Sequence, residues 1–246
     1  MSTPKKALFN WSSGKDSALA LYKILQNPEY KIECLLTSVN QQYQRISMHG
    51  VRTELLEAQA KSLDLPLKIM QIPEMPTMEV YENVMTETLS GLKKEGITHS
   101  VFGDIFLEDL RKYREDKLAE MGFKGVFPIW KIPTSDLIQE FIRLGFKTIV
   151  VCVNERYLDK SFTGRIIDQN FITDLPEDVD VCGENGEFHT FTFDGPIFSE
   201  PINFEIGETV YRKYEKPKTE SINSVCDTNA TDAFDYGFWY TDLILK

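Results

Sequence analysis

The sequence predicts an α/β fold: a Rossmann-like, doubly wound parallel sheet with a second, smaller α+β domain after it. Three observations point there. Short apolar runs alternate with amphipathic stretches through the first part of the chain, the hexapeptide SSGKDS at 12–17 falls between a strand and a helix, and the pattern changes after FPIW at 127–130. Repeated strand-helix units call for parallel strands joined by right-handed crossovers, with helices on both faces. Such sheets bind ligands beyond the carboxyl ends of their strands.

Residues 7–11 read as the first strand, and 16–25 as a helix with Leu19, Tyr22 and Leu25 on one side. A second strand follows at 32–39, and a helix at 51–63 carries Leu55, Leu56, Ala58 and Leu63. The third strand, 67–72, is closed by Pro73 and Pro76, and the helix 79–94 is ended by Gly96. A fourth strand, 99–103, leads to a helix at 107–121 stopped by Gly122. Beyond the FPIW run come a helix at 135–144, a strand at 148–153, and half-buried alternation at 190–193 and 209–214. Polar residues 216–232 suggest a mobile loop before a last strand at 237–245. The expected division is a nucleotide-binding domain over 1–130 and a smaller substrate domain over 131–246.

Composition narrows the partners. The chain has 246 residues, 16 Phe, 10 Tyr and a net charge of −11. A long nucleic acid is not expected to bind so acidic a protein, because neutralising phosphates takes a basic surface. A small anion remains compatible, since a helix N-terminus and a few cations can hold it. The four Cys form no CxxC pair or zinc spacing, and Cys34 and Cys152 lie in apolar runs as buried thiols would. The first residues lack a signal-peptide stretch and no run reaches transmembrane length, so a cytoplasmic protein with no membrane partner is expected.

The strongest chemical signal is Ser12, Ser13, Gly14, Lys15, Asp16 and Ser17. Small residues let the backbone curl and turn N–H groups toward an oxyanion, and the helix start adds partial positive charge. Lys15 can neutralise phosphate, and Ser12 and Ser17 can donate hydroxyls. The spacing is not that of a Walker A loop. Gly103 and Asp104 end the fourth strand at the same sheet edge, where Asp104 could ligate Mg2+ beside a triphosphate or simply cap a helix. On the helix after it, Arg111 and Glu115 share a face, as a solvated ion pair or as ligand contacts. In SMHGVR at 47–52, His49 and Arg52 could touch nucleotide or substrate, or serve structure alone. The densest polar cluster is 183–190, with Glu184, Asn185, Glu187 and His189 in a glycine-bounded loop that is either a binding loop or a plain acidic turn.

Taken together, SSGKDS, FGDI at 102–105 with Arg111 and Glu115, FPIW, LDKS at 158–161 with Gly164 and Arg165, and VDVCGENGEFHTFTFDGPIF at 179–198 resemble the diphthine–ammonia ligase family of N-type ATP pyrophosphatases. The resemblance spans roughly residues 6 to 200. It implies a PP-loop (HUP-type) first domain facing a small second domain across a cleft. It implies ATP and Mg2+ as cofactors, adenylation of a carboxylate with release of pyrophosphate, and attack by ammonia with release of AMP. On this reading Lys15, Asp16, Glu184 and Glu187 are catalytic. Residues 12–17 with Gly103 and Asp104 bind nucleotide, and His49, Arg52, Arg111, Glu115, Arg165, Asn185 and His189 meet the substrate. Two departures stand out. Ser13 replaces a loop glycine, and GENGEFHT stands where the family's ligases read GEGGEYET, so Asn185, Phe188 and His189 replace Gly, Tyr and Glu. His189 thereby exchanges a carboxylate for a group able to be neutral or cationic. ENGEFH resembles a bacterial branch linked to corrinoid salvage, which suggests a small carboxylate acceptor, with free ammonia as the nitrogen source. A tRNA-modifying PP-loop enzyme and a non-catalytic nucleotide-binding protein are the alternatives. Scattered Cys and the acidic charge weigh against the first, and the polar 184–189 loop weighs against the second.

Overall fold

The computed structural model describes residues 3–46, 49–73, 76–213 and 237–246. The loop expected at 216–232 lies outside them, as do Ser47, Met48 and Cys226.

The first sheet carries five parallel strands: β1 (Lys5–Asn10), β2 (Tyr30–Asn40), β4 (Leu67–Ile72), β5 (His99–Val101) and β6 (Lys124–Val126). β1 pairs with β2 and β5, β2 with β4, and β5 with β6, so the parallel order is β4-β2-β1-β5-β6. A two-residue strand, β3 (Arg45–Ile46), runs antiparallel to the end of β2, on the edge that β1 vacates. The order reverses at β1, and this is where the loop 12–17 emerges.

Alternation along β1 divides the core between the two faces. Ala7 and Phe9 join Leu19 and Leu21 of α1 (Lys15–Leu25) and Leu55 and Leu56 of α2 (Thr53–Ser62). Leu8 faces the other way, onto Leu89 and Leu92 of α3 (Met78–Lys94) and Leu118 of α4 (Glu108–Glu120). Each such fully buried side chain is worth about 2 kcal/mol of transfer free energy. Helices thus cover both faces, and the sheet is doubly wound.

After α5 (Thr134–Arg143) comes a second, antiparallel sheet: β7 (Lys147–Asn154), β8 (Phe188–Asp194), β9 (Phe204–Lys213) and β10 (Gly237–Leu245), in the order β8-β7-β10-β9. A 3-10 turn at Lys160–Phe162 and the short helix α6 (Gln169–Asp174) lie between β7 and β8. Ile149, Val151, Val153, Phe188 and Phe191 share one apolar cluster with Phe9 and α1. β8 neighbours α1 and β10 neighbours α2, so α1 and α2 are packed between the two sheets. That placement is why α1 is buried at Ala18, Leu19, Ala20, Leu21 and Ile24, well beyond a single stripe.

Candidate active site

The loop 12–17 turns from β1 into α1, and Gly14 occupies the N-cap position. Ser13 lies in the left-handed region, at φ 71°, the conformation for which the family's glycine is suited. Its side chain is wholly buried, and its Oγ has no hydrogen-bond partner among the described residues. Ser12 Oγ donates to Ser17 Oγ at 3.0 Å, and Ser17 Oγ donates to the Gly14 carbonyl at 2.9 Å. A Cβ on Gly14 would lie 3.0 Å from His49 Cε1 and 3.3 Å from the Thr190 carbonyl. Gly103 is equally confined, because a Cβ there would sit 3.0 Å from the Cα and N of Ser17. A glycine at 103 lets the end of the β5 connection touch the first turn of α1.

The second sheet closes directly on this loop. Thr190 Oγ1 accepts the Lys15 backbone N–H at 3.0 Å, and the Thr192 N–H donates to the Ser13 carbonyl at 2.9 Å. Gln59 of α2, wholly buried, ties the joint together. Its Nε2 donates to the Ser13 carbonyl at 3.2 Å and to the Thr192 carbonyl at 2.6 Å, while its Oε1 accepts the Trp11 indole N–H at 2.9 Å.

Lys15 Nζ donates to both Asp16 oxygens, at 2.9 and 2.7 Å, and to the Cys182 carbonyl. Burial works against its charge, yet Asp16, Cys182 and Glu184 outweigh that, and Lys15 is held above the ordinary lysine value. Glu184 responds in the opposite sense. Burial, then the negative charges of Asp16, Asp180 and Asp104, push its carboxyl up to about 8 against the pull of Lys15. The result is a lysine and a glutamic acid of raised proton affinity beside a group of carboxylates at a helix N-terminus.

Other sequence-predicted residues have different surroundings. Glu187 is fully buried and accepts from the backbone N–H of Asp180 and of Asn185 and from Asn185 Nδ2, at 3.0, 2.7 and 2.9 Å. Its oxygens hold the 180–187 loop in shape, so the geometry gives Glu187 a loop-organising place instead of the expected catalytic one. Gly183, at φ 72°, lets the loop turn where a Cβ would meet the Phe188 carbonyl at 2.9 Å. Asp104 is gripped by Arg114 Nη1 at 2.9 and 2.7 Å, and burial raises its pKa against that pull. It remains within electrostatic reach of Glu184, but both its oxygens have a partner.

His49 and His189 stack at 4.7 Å, and His49 Nδ1 lies 3.2 Å from the Thr190 carbonyl. Burial pushes His49 down to about 4 and His189 to about 3. The expected cationic option for His189 is therefore closed near neutral pH: it removes a carboxylate without adding positive charge. Arg52 points away from the loop and binds Asp242 of β10 at 2.6 Å. Arg111 pairs with Glu115 at 2.9 Å and lies 4.5 Å over the Phe127 ring and 4.6 Å over Trp130. Arg165 binds Asp174 at 2.6 Å beside the rings of Phe162 and Phe171. These three arginines, expected to meet substrate, are taken up by structural pairs, because a long guanidinium finds a carboxylate or a ring nearer than the loop.

Several residues that shape the site were not among the expected ones: Gln59, Thr190, Asp180 and Thr134. Asp180 Oδ1 accepts the Cys182 N–H at 2.8 Å, and its Oδ2 accepts the Thr134 hydroxyl at 2.7 Å. Thr190 closes the dense polar cluster at 183–190 and Asp180 stands three residues before it, which was the available signal. Gln59 gave none beyond a polar letter on the buried side of a helix. Cys34, Cys152 and Cys182 are free and buried, and burial raises all three thiols, Cys34 to about 11 and Cys152 to about 12. No helix among the described residues is long and apolar enough to cross a membrane.

The family model for the diphthamide synthase N-terminal domain matches residues 5–125, and that for its C-terminal domain matches 133–221. Human (Homo sapiens) diphthine–ammonia ligase is 24% identical over 221 residues, covering 80% of this chain and 82% of its own. The Bos taurus enzyme is 26% identical over 181 residues, covering 68% and 67%. Among solved structures, the U34-tRNA thiolase NcsA from Methanococcus maripaludis aligns with a TM-score of 0.36 and 20% identity, and the chain spans 57% of that protein. Two domain models of one family lie end to end over most of the sequence, and the chain belongs to the diphthine–ammonia ligase family of PP-loop ATP-dependent ligases.

Proposed function

We propose that the protein adenylates a small carboxylate acceptor and transfers ammonia to it, releasing pyrophosphate and then AMP. The observation that carries the reading is the pairing of a phosphate-type loop with Glu184, which lies within electrostatic reach of both Asp16 and Lys15. Two observations support a nucleotide there: the loop turns into the N-terminus of α1, and the buried Ser13 hydroxyl is without a partner among the described residues. Ser12, Ser13, Gly14, Lys15, Asp16 and Ser17 would hold phosphates through backbone N–H groups, hydroxyls and the lysine charge. Mg2+ would be held by Asp104 and Asp16, with Arg114 orienting Asp104. Among the described residues no three His, Cys, Asp or Glu gather closely enough to hold a metal alone, so phosphate and water would complete its shell. When bound, Mg2+ neutralises the charge of the leaving pyrophosphate.

In this reading the acceptor carboxylate oxygen bonds to the α-phosphorus as the bond to pyrophosphate breaks. Ammonia then attacks the acyl carbon, AMP departs, and the nitrogen loses a proton. Glu184 is the group to take that proton, because its raised affinity matches it to a base working near neutral pH. Neutral His189 supports an acceptor that is not cationic, and a polycarboxylate such as a corrinoid acid fits better than diphthine, whose side chain carries a quaternary ammonium. The division into domains meeting near residue 130, and a cytoplasmic setting, belong to the same proposal. The test is incubation with ATP, Mg2+, ammonium and either a small polycarboxylate or diphthine-modified elongation factor, with AMP, pyrophosphate and amide quantified. AMP, pyrophosphate and amide from the small acid are expected. ADP and phosphate as products would overturn the bond assignment, and efficient amidation of diphthine would overturn the acceptor.

A further inference from the structure

A separate cavity of about 210 Å³ opens between the β2–β3 hairpin and the β9–β10 pair, walled in part by Tyr43, Arg45, His49, Arg212, Tyr240 and Asp242. Its charge is opposite to that of the chain. Arg45 Nη1 meets Asp242 at 2.9 Å and Arg52 Nη2 meets the same carboxylate at 2.6 Å. One aspartate is thus shared by two guanidiniums. Arg212 lies 5.9 Å over the Tyr43 ring, and no carboxylate among the described residues pairs with it. Among the described residues, three arginines stand against Asp242, with Glu54 3.7 Å from Arg52, and give this corner positive charge in a protein of net charge −11. A cleft of one sign with low-dielectric walls concentrates ions of the other.

The cavity also adjoins the nucleotide loop. His49 forms part of its wall, and the same imidazole stacks on His189 and lies 3.0 Å from the place a Cβ on Gly14 would take. One ring separates the cavity from the phosphate loop. Its volume is about seven times that of a water molecule in the liquid, room for a small acid or one acidic arm of a larger one.

We propose that this cavity is the anchoring subsite for a di- or tricarboxylate acceptor: Arg212 and Arg45 hold a non-reacting carboxylate while the reacting one reaches past His49 to the loop. The proposal rests on the ligase reading above and adds the residues that choose the acceptor. Arg212 is exposed, so its replacement leaves the fold intact. The probes are tricarballylate and its uncharged triamide, titrated by calorimetry into the full chain, Arg212→Glu and Arg212→Lys. Binding of tricarballylate but not the triamide is expected. Losing a charge-assisted contact should weaken binding by about ten- to a hundredfold in Arg212→Glu, with Arg212→Lys close to the parent and ATP affinity equal in all three. Equal binding of tricarballylate by Arg212→Glu, or failure of the parent to bind it, would overturn the subsite. Acceptor-dependent ATP–pyrophosphate exchange is measured in parallel. Its absence sinks the ligase reading while the calorimetry still decides the subsite.

Discussion

Gln59 is the residue whose loss should say most about how the phosphate loop is held. Gln59→Leu keeps the volume roughly constant, so the change is in hydrogen bonding rather than packing. It strands the Trp11 indole N–H and removes the 2.6 Å donor to the Thr192 carbonyl, both in the buried joint. The Ser13 carbonyl is spared, since the Thr192 N–H still reaches it at 2.9 Å. Each stranded buried group costs about 1–3 kcal/mol, so the substitution should destabilise the protein by about 4 kcal/mol. For a chain of this size that is a fall in Tm of roughly 8–16 °C. Urea titrations followed by tryptophan fluorescence, alongside calorimetric melting, give both numbers. A variant within about 1 kcal/mol of the parent would refute the claim that Gln59 clamps the two sheets across the loop.

The Glu184 carboxyl titrates near 8 in the folded chain, against an ordinary value of 4.5. The folded state therefore holds this proton where the unfolded state has released it, and stability falls as pH rises from about 4.5 to about 8. Glu184→Gln should remove that part of the slope and be the more stable protein at pH 8 in metal-free buffer; matching slopes for the two in denaturant midpoints would discount the coupling. Gly103→Ala forces a methyl against the Ser17 backbone, which cannot swing aside. Overpacking of this kind costs about 1–3 kcal/mol and should weaken ATP binding about tenfold by calorimetry, and unchanged stability and affinity would show that the contact yields.

Long, well-punctuated segments were legible as sequence. β4 ends at Ile72 before Pro73, and β10 begins at Gly237, both as expected from the residues that flank them. Two strands escaped because Arg45–Ile46 and Lys124–Val126 are too short to display any period, and α6 is a six-residue turn of helix capped by Asp168. The strand expected over 99–103 stops at Val101, because Gly103 serves the contact with α1 instead of the ladder. The loop 12–17 could be read from its letters since small residues and a lysine before a helix have few other uses. The partners of Glu187 and the arginines could not, because nothing local says whether a charged side chain will face a ligand or a nearby amide, carboxylate or ring. Gln59 was the least visible, being wholly buried in a helix whose other polar residues are mostly exposed.

The closure of β8 over the loop has a consequence for the order of assembly. Lys15 and Thr190 are 175 positions apart, and β8 leans on β7, which in turn pairs with β10. β10 is an interior strand, so the second sheet is whole only when Gly237–Leu245 has slotted between β7 and β9. Contacts this distant in sequence are slow to form, because a long loop must close before they repay its entropy. During synthesis the loop 12–17 is made before the strand that closes on it. The loop's bonds to Thr190 and Thr192 therefore wait on a segment of chain made well after it.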